Sequence, residues 1–135
     1  MKYYWDTSAL INAAASPAVR QRLAQKEGFT RTHALAEFFA RMTKQGIVVN
    51  QNRIRFEPED AAAWLKEASQ ELGFVELEAA EVIQALEGTK QLGVEGPRVY
   101  DYLHGKSAVK GQADKILTRN NDFQHLGLNL PCEKP

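Results

Sequence analysis

The sequence has a single cysteine, Cys132, which excludes a disulfide framework and a cysteine-based zinc site within one chain. It has no apolar run approaching the roughly 20 residues that a membrane span requires. Its N-terminus has neither the basic start nor the apolar stretch of a secretory signal. These absences predict an intracellular, cytoplasmic protein with no membrane association. Net charge is also lacking, with 17 Lys and Arg against 17 Asp and Glu, so the chain is not a general polyanion binder. Any nucleic-acid contact must then use a local patch. Neither a G-x-G-x-x-G fingerprint nor a full G-x-x-x-x-G-K-[ST] loop is present, which excludes the common dinucleotide and P-loop sites. Internal repeats, low-complexity tracts and linkers are absent too.

What is there is an ordinary globular composition, 44% hydrophobic and 25% charged over 135 residues. That is enough for one core, and predicts a single domain over residues 1–135. Lys2 to Trp5 reads as a short buried strand. Ser16-Pro17 opens a helix that runs to about Lys26 and is stopped by Gly28. Residues 29–32 read as a second strand. The next helix starts at Thr32 or His33, carries an apolar stripe of Leu35, Phe38, Phe39 and Met42, and stops at Gly46. Residues 47–49 and 53–56 flank Asn50-Gln51-Asn52 as a small hairpin. A helix from Pro58 buries Trp64, Leu65, Ala68 and Leu72. Residues 74–77 form a third strand. A helix from Glu78 to about Leu92 turns Val82, Ile83 and Leu86 inward, and another from Pro97 carries Val99, Tyr102, Leu103 and Val109. Residues 115–118 form a fourth strand and 126–130 a fifth. Strands alternating with helices imply an α/β fold, three layers α/β/α with a central, mostly parallel sheet of about five strands.

In such a sheet, ligands bind beyond the carboxyl ends of the strands. Asp6 ends strand one, Glu37 follows strand two, and Asp122 lies just past strand four. Asp101 lies early in the helix before strand four, so four carboxylates converge on one rim. At 100° per residue, Glu37 lies about 200° from Leu35, and Asp101 the same angle from Val99. Both acids face away from their own apolar stripes, which suits a solvated groove and equally an ordinary exposed helix face. Asp6 can serve a site or simply cap the following turn. Clustered carboxylates raise one another's pKa and oppose folding unless a cation compensates. Oxygen-only ligands favour Mg²⁺ or Mn²⁺, the ions of phosphodiester cleavage.

The stretches "YYWDTSALI", "ALAEFF", "GPRVYDYLHG" and "ADKILTRNNDF", in this order, resemble the PIN-domain family, and within it the VapC-type toxins of bacterial toxin–antitoxin pairs. The resemblance spans essentially the whole chain and implies a Mg²⁺- or Mn²⁺-dependent single-strand endoribonuclease. It makes Asp6 and Asp101 the principal metal ligands. Glu37 completes the cluster or orients water, and Asp122 holds a second metal directly or through water. Ser8 would steady Asp6 or a bound water. It implies as partners an RNA substrate, single-stranded or structured, a small antitoxin that buries the acidic groove, and a second copy in a homodimer. One position departs: where many members carry an acid two residues after the strand-end Thr118, this chain has Asn120, a neutral oxygen ligand.

Other candidates are weaker. The pairs Asp101/His104 and His33/Glu37 share helix faces but lack the third nitrogen or sulfur ligand that zinc would want. Arg98, Lys106, Lys110, Lys115 and Arg119 could cradle phosphates, Arg119 above all because it follows the strand end. Trp5 and Trp64 read as core, and Asp114 as a turn residue. A phosphatase with an aspartyl intermediate would need an acid where Ser8 stands, and a receiver domain would need an acidic pair and a late lysine. The rival reading from another class is a non-catalytic PIN-fold module that grips RNA or a partner protein without cutting.

Overall fold

The computed structural model describes residues 1–25 and 27–135, with all their side chains except those of Asn121 and Asp122. Its central sheet contains β1 (Tyr3–Trp5), β2 (Gly28–Thr30), β5 (Leu72–Phe74), β6 (Lys115–Leu117) and β7 (Cys132–Glu133). The strand order is β5-β2-β1-β6-β7, and every pairing is parallel. A separate antiparallel hairpin joins β3 (Ile47–Val49) to β4 (Asn52–Ile54) through Asn50 and Gln51, both at positive φ. The helices are α1 (Thr7–Ala15), α2 (Pro17–Leu23), α3 (Thr32–Lys44), α4 (Pro58–Ser69), α5 (Ala79–Glu87) and α6 (Arg98–Lys110). No helix among the described residues is long and apolar enough to cross a membrane.

Strand alternation divides the core in two. Trp5, Leu72 and Leu117 point to one face, against Leu10 and Ala13 of α1 and Phe38 and Met42 of α3. Tyr4, Phe29 and Ile116 point to the other, against Ala85 of α5 and Tyr102, Leu103 and Ala108 of α6. Adjacent residues of one strand thus serve opposite helix layers, which makes the α/β/α sandwich. The chain moves outward from β1 through β2 to β5, then crosses back to lay β6 on the free side of β1. Strand order therefore reverses at β1, and the crevice beyond its carboxyl end is the topological switch point.

Several local expectations are corrected. Residues 7–15, unassigned from the sequence, form α1, because Asp6 caps it and its alanines favour helix. Ser16 ends α1 and caps α2 as expected, but α2 stops at Leu23. Lys26, the expected helix end, lies outside the described residues. Gly28 is not a helix stop. It opens β2, where a Cβ would come within 2.4 Å of Trp5 Nε1, so it is a point of close packing. Gly46 does end α3's connection, at φ +65°. In α3, Ala34 joins Phe38 and Met42 in the core while Phe39 is exposed. Leu72 is a strand residue, and the third sheet strand is 72–74 rather than 74–77. The expected helix through Leu92 is α5 plus a separate 3-10 turn, Lys90–Leu92; Ile83 and Leu86 face outward and Ala85 inward. Val109 of α6 is exposed as well. The last strand is Cys132–Glu133, not 126–130; Leu126 is core.

Candidate active site

Asp6 leaves the C-terminal end of β1 and becomes the N-cap of α1, with its Oδ1 accepting from Ala9 N at 2.8 Å. Its capping and site readings are therefore not exclusive. Oδ1 also accepts from Ser8 Oγ at 2.7 Å, and Oδ2 from Thr118 Oγ1 at 2.5 Å. Both hydroxyls are anchored in turn: Ser8 Oγ accepts from Arg119 N at 2.9 Å, and Thr118 Oγ1 from Asn120 N at 2.9 Å. The loop after β6 thus locks the carboxylate at the end of β1. A carboxylate offers about four lone-pair positions, and these donors take two on Oδ1 and one on Oδ2. Asp6 is only 4% exposed, and burial raises its pKa despite the hydrogen bonds from Thr118, Ser8 and Ala9. Its direct donors are neutral, so the charge is tolerable at this depth mainly in the company of a cation.

Glu37 projects from the second turn of α3. Its Oε1 accepts from His104 Nε2 at 2.6 Å and from Thr7 Oγ1 at 3.1 Å, and His33 Nε2 stands 3.7 Å away. Burial works to raise its pKa, but the bond and charge of His104, then His33 and Thr7, outweigh it, and the group is held below the ordinary carboxylate value. Oε2 makes none of these bonds. His104, from α6, is 1% exposed, and its Nδ1 lies 2.6 Å from the buried Tyr4 hydroxyl. A carboxylate can only accept, so Nε2 carries the proton toward Glu37 and Nδ1 accepts from Tyr4. Tyr4–His104–Glu37 is one hydrogen-bonded chain that links the central strand β1 to α6 and α3. Sequence reasoning missed this role for His104. The available signal was its placement one turn after Asp101, combined with a tyrosine one residue before Trp5 on the opposite strand face.

Asp101 sits in the first turn of α6, and its Oδ2 accepts from Asn120 Nδ2 at 2.9 Å. Asn120 therefore acts here as a donor that orients Asp101 and ties it to the same loop that holds Asp6. Asp122 falls in the 3-10 turn Asn121–His125, but its side chain lies outside the described residues. The structure brings Asp6, Glu37 and Asp101 to one cavity of about 260 Å³, together with Ser8, His104 and Asn120. Arg41, which the sequence did not single out, is on the same wall. Arg119 lines the adjoining cavity, with Ser8, Ile11 and Arg41 common to both.

Of the other basic candidates, Arg98 is exposed at the start of α6 and the three lysines are engaged elsewhere. Lys110 binds Glu76 O and the Glu81 carboxylate, and Lys115 pairs with Glu133 at 3.1 Å. Lys106 lies over the Tyr102 ring. The tripeptide Gly105-Lys106-Ser107 is inside α6, with Ser107 fully buried, and forms no phosphate loop. Trp5 is core, and Trp64 stacks on Phe38. Asp114 accepts from Lys2 N at 2.7 Å.

Among the described residues, no three His, Cys, Asp or Glu side chains are arranged to hold one metal ion as they stand. The donor set nevertheless suits a hard divalent cation: carboxylate oxygens of Asp6, Glu37 and Asp101, with amide and hydroxyl oxygens beside them and no thiolate. A deeply buried carboxylate with only neutral direct donors is the feature that a cation would relieve.

No curated protein matches the chain significantly. The family model described as PIN domain matches residues 3–128, from the first residue of β1 through the loop after the last 3-10 turn. With its parallel five-stranded sheet and acid-lined switch point, the chain belongs to the PIN-domain family, whose members are generally nucleases.

Proposed function

We propose that the chain is a single-domain Mg²⁺- or Mn²⁺-dependent endoribonuclease acting on single-stranded RNA, and the VapC-type toxin of a bacterial toxin–antitoxin pair. PIN domains are commonly ribonucleases and generally use divalent ions. The observation that carries the reading is that Asp6, Glu37 and Asp101, from β1, α3 and α6, line one cavity at the switch point.

The Asp6 and Asp101 carboxylates would hold the cation, the first fixed by Thr118 and the second by Asn120. Bound there, it would acidify water and neutralise charge on the phosphate. Glu37 orients the attacking water through Oε2, since Oε1 is committed to His104 and Thr7. Arg41 and Arg119 contact the RNA backbone away from the phosphate being cut. Asp122 is the further ligand that the family pattern suggests. The antitoxin covers the acidic cavity, and the outward apolar side chains Ile83, Leu86 and Val109 support self-association.

The test is cleavage of a generic single-stranded RNA with Mg²⁺ or Mn²⁺, with excess chelator and with Asp6→Asn as controls. Metal-dependent cleavage that the substitution abolishes is expected. Cleavage that survives both controls refutes the mechanism. Binding without cleavage makes the protein the non-catalytic module instead. Growth arrest on induced expression, absent in Asp101→Asn, tests the toxin role.

A further inference from the structure

The acid-lined cavity has a neighbour of different chemistry. A second cavity, of about 390 Å³, lies between α1 and the β3–β4 hairpin and shares Ser8, Ile11 and Arg41 with the first, so the two form one continuous groove. Its volume is within the ~300–1,000 Å³ of small-ligand sites. Apolar side chains line it: Ile11 and Ala15 from α1, Ile47 and Val49 from β3. Two exposed arginines border it, Arg41 from α3 and Arg119 from the loop after β6, and no carboxylate is among its described lining residues. Arg41 Nε donates to Gly46 O at 3.1 Å, which fixes the guanidinium against the hairpin and leaves its terminal nitrogens as donors. Asn12, with one donor and one acceptor group, completes the wall on α1.

Flat apolar body, anionic edge and a paired donor–acceptor face describe a nucleotide. We propose that this groove seats the nucleotide adjacent to the scissile phosphate, its base on Ile11, Ala15, Ile47 and Val49 and its phosphate on Arg41 and Arg119. The inference rests on the ribonuclease reading and adds to it the path of the strand. Charge decides the occupant: the acids need a cation under the phosphate being cut, and the arginines take the next phosphate without one. A base can lie on the apolar floor only if it is unstacked, so the groove selects single strands. Asn12 is then the residue placed to read the base edge.

The experiment measures binding of a fluorescein-labelled single-stranded RNA heptamer by anisotropy, in chelator, as a function of salt. It runs beside Mn²⁺-dependent hydrolysis of bis(4-nitrophenyl) phosphate, a diester with no base and no second phosphate. Arg119→Ala should weaken RNA binding and reduce the slope of log K against log salt by about 0.7, one phosphate contact on a single strand. Ala15→Phe should weaken binding by about tenfold at unchanged slope, because it fills the base seat and leaves charge alone. Ala15→Phe should not alter hydrolysis of the small diester. Arg119→Glu, at an exposed position, carries the binding test without Ala15→Phe if the latter does not fold. RNA affinity unchanged in these variants overturns the proposal, as does an equal loss on the small diester in Ala15→Phe. Unchanged RNA affinity with loss of a co-expressed partner protein overturns it in favour of a protein groove. A wild type that binds RNA with these variant effects yet never cuts it refutes the nuclease reading and leaves the groove standing.

Discussion

Replacing Asp6 by alanine and, separately, by asparagine divides the two tasks of its carboxylate. Alanine removes the cap of α1, which costs about 1 kcal/mol. It also strips the acceptor from the hydroxyls of Ser8 and Thr118, at about 1 kcal/mol each for a buried donor left unsatisfied. The sum is about 3 kcal/mol relative to the asparagine variant, which loses the same charge, or a melting temperature lower by roughly 10 °C for a domain of this size. Asparagine keeps Oδ1 for Ala9 N and Ser8 Oγ, and asparagine caps helices as well as aspartate does. Its amide nitrogen faces Thr118 Oγ1, but the substitution also removes a charge that burial disfavours. The metal-free Asn variant should therefore stay within about 1 kcal/mol of wild type. Mn²⁺ should then separate them: at a hundred times its Kd it stabilises wild type by about 2.7 kcal/mol and the Asn variant not at all. Thermal melts of the three proteins with and without Mn²⁺ measure all of this, and an RNA cleavage assay should find both variants inactive. An Asn variant that gains as much from Mn²⁺ as wild type would show that Asp6 is no ligand. An Ala variant within about 0.5 kcal/mol of the Asn variant would show that it is no cap.

Glu37, whose folded pKa is lowered, contributes stability that is present above its ordinary 4.5 and is lost as pH falls through the folded value. Glu37→Gln should accordingly flatten the acid limb of metal-free stability in urea titrations, and an unchanged limb refutes this. Asp6, with a raised pKa, has the opposite sign: its contribution is present below the ordinary 3.8 and lost as pH rises through the folded value, so Asp6→Asn should gain on wild type as pH climbs. Tyr4→Phe should cost about 1–2 kcal/mol and strip His104 Nδ1 of its donor while Glu37 still holds the Nε2 proton, so that the Nδ1 resonance shifts in nitrogen NMR and RNA cleavage falls; an Nδ1 resonance unchanged from wild type counts against the relay. His104→Gln, which keeps a donor toward Glu37, should retain more activity than His104→Ala. Gly28→Ala pushes a methyl into the Trp5 indole and should cost about 1–3 kcal/mol, read by denaturant melts that follow tryptophan fluorescence; a neutral effect would mean that the strand can shift.

The parts of the fold that were legible in the sequence are those governed by local chemistry. Tyr3-Tyr4-Trp5 ending in an acid gave away β1, and Ser16-Pro17 and Pro58-Glu59-Asp60 marked the starts of α2 and α4. What escaped was set by tertiary contact. Thr7-Ser8 looks like a turn until Asp6 is seen as a cap, so α1 stayed hidden. Gly28 looks like a helix stop until Trp5 is seen lying against it. Ile83 and Leu86 follow a helical apolar rhythm, yet the small Ala85 is the residue α5 turns inward. That the acids at 6, 37 and 101 share one cavity was readable from a strand end for the first and from the early turns of flanking helices for the other two. The buried His104, the orienting amide of Asn120 and the arginine at 41 were not, because each acts through a partner at least 19 residues away or through a shared cavity wall.

The placement of β6 has a consequence for synthesis. A nascent chain can pair β1 with β2 early, but the strand that flanks β1 on its other side comes from residues 115–117, and the hydroxyl and amide that steady Asp6 and Asp101 come from Thr118 and Asn120. A ribosome must translate past residue 120 before those two carboxylates are held in place. A product released before that loop emerges would lack the braces of both carboxylates, so the order of synthesis sets when this pocket can assemble.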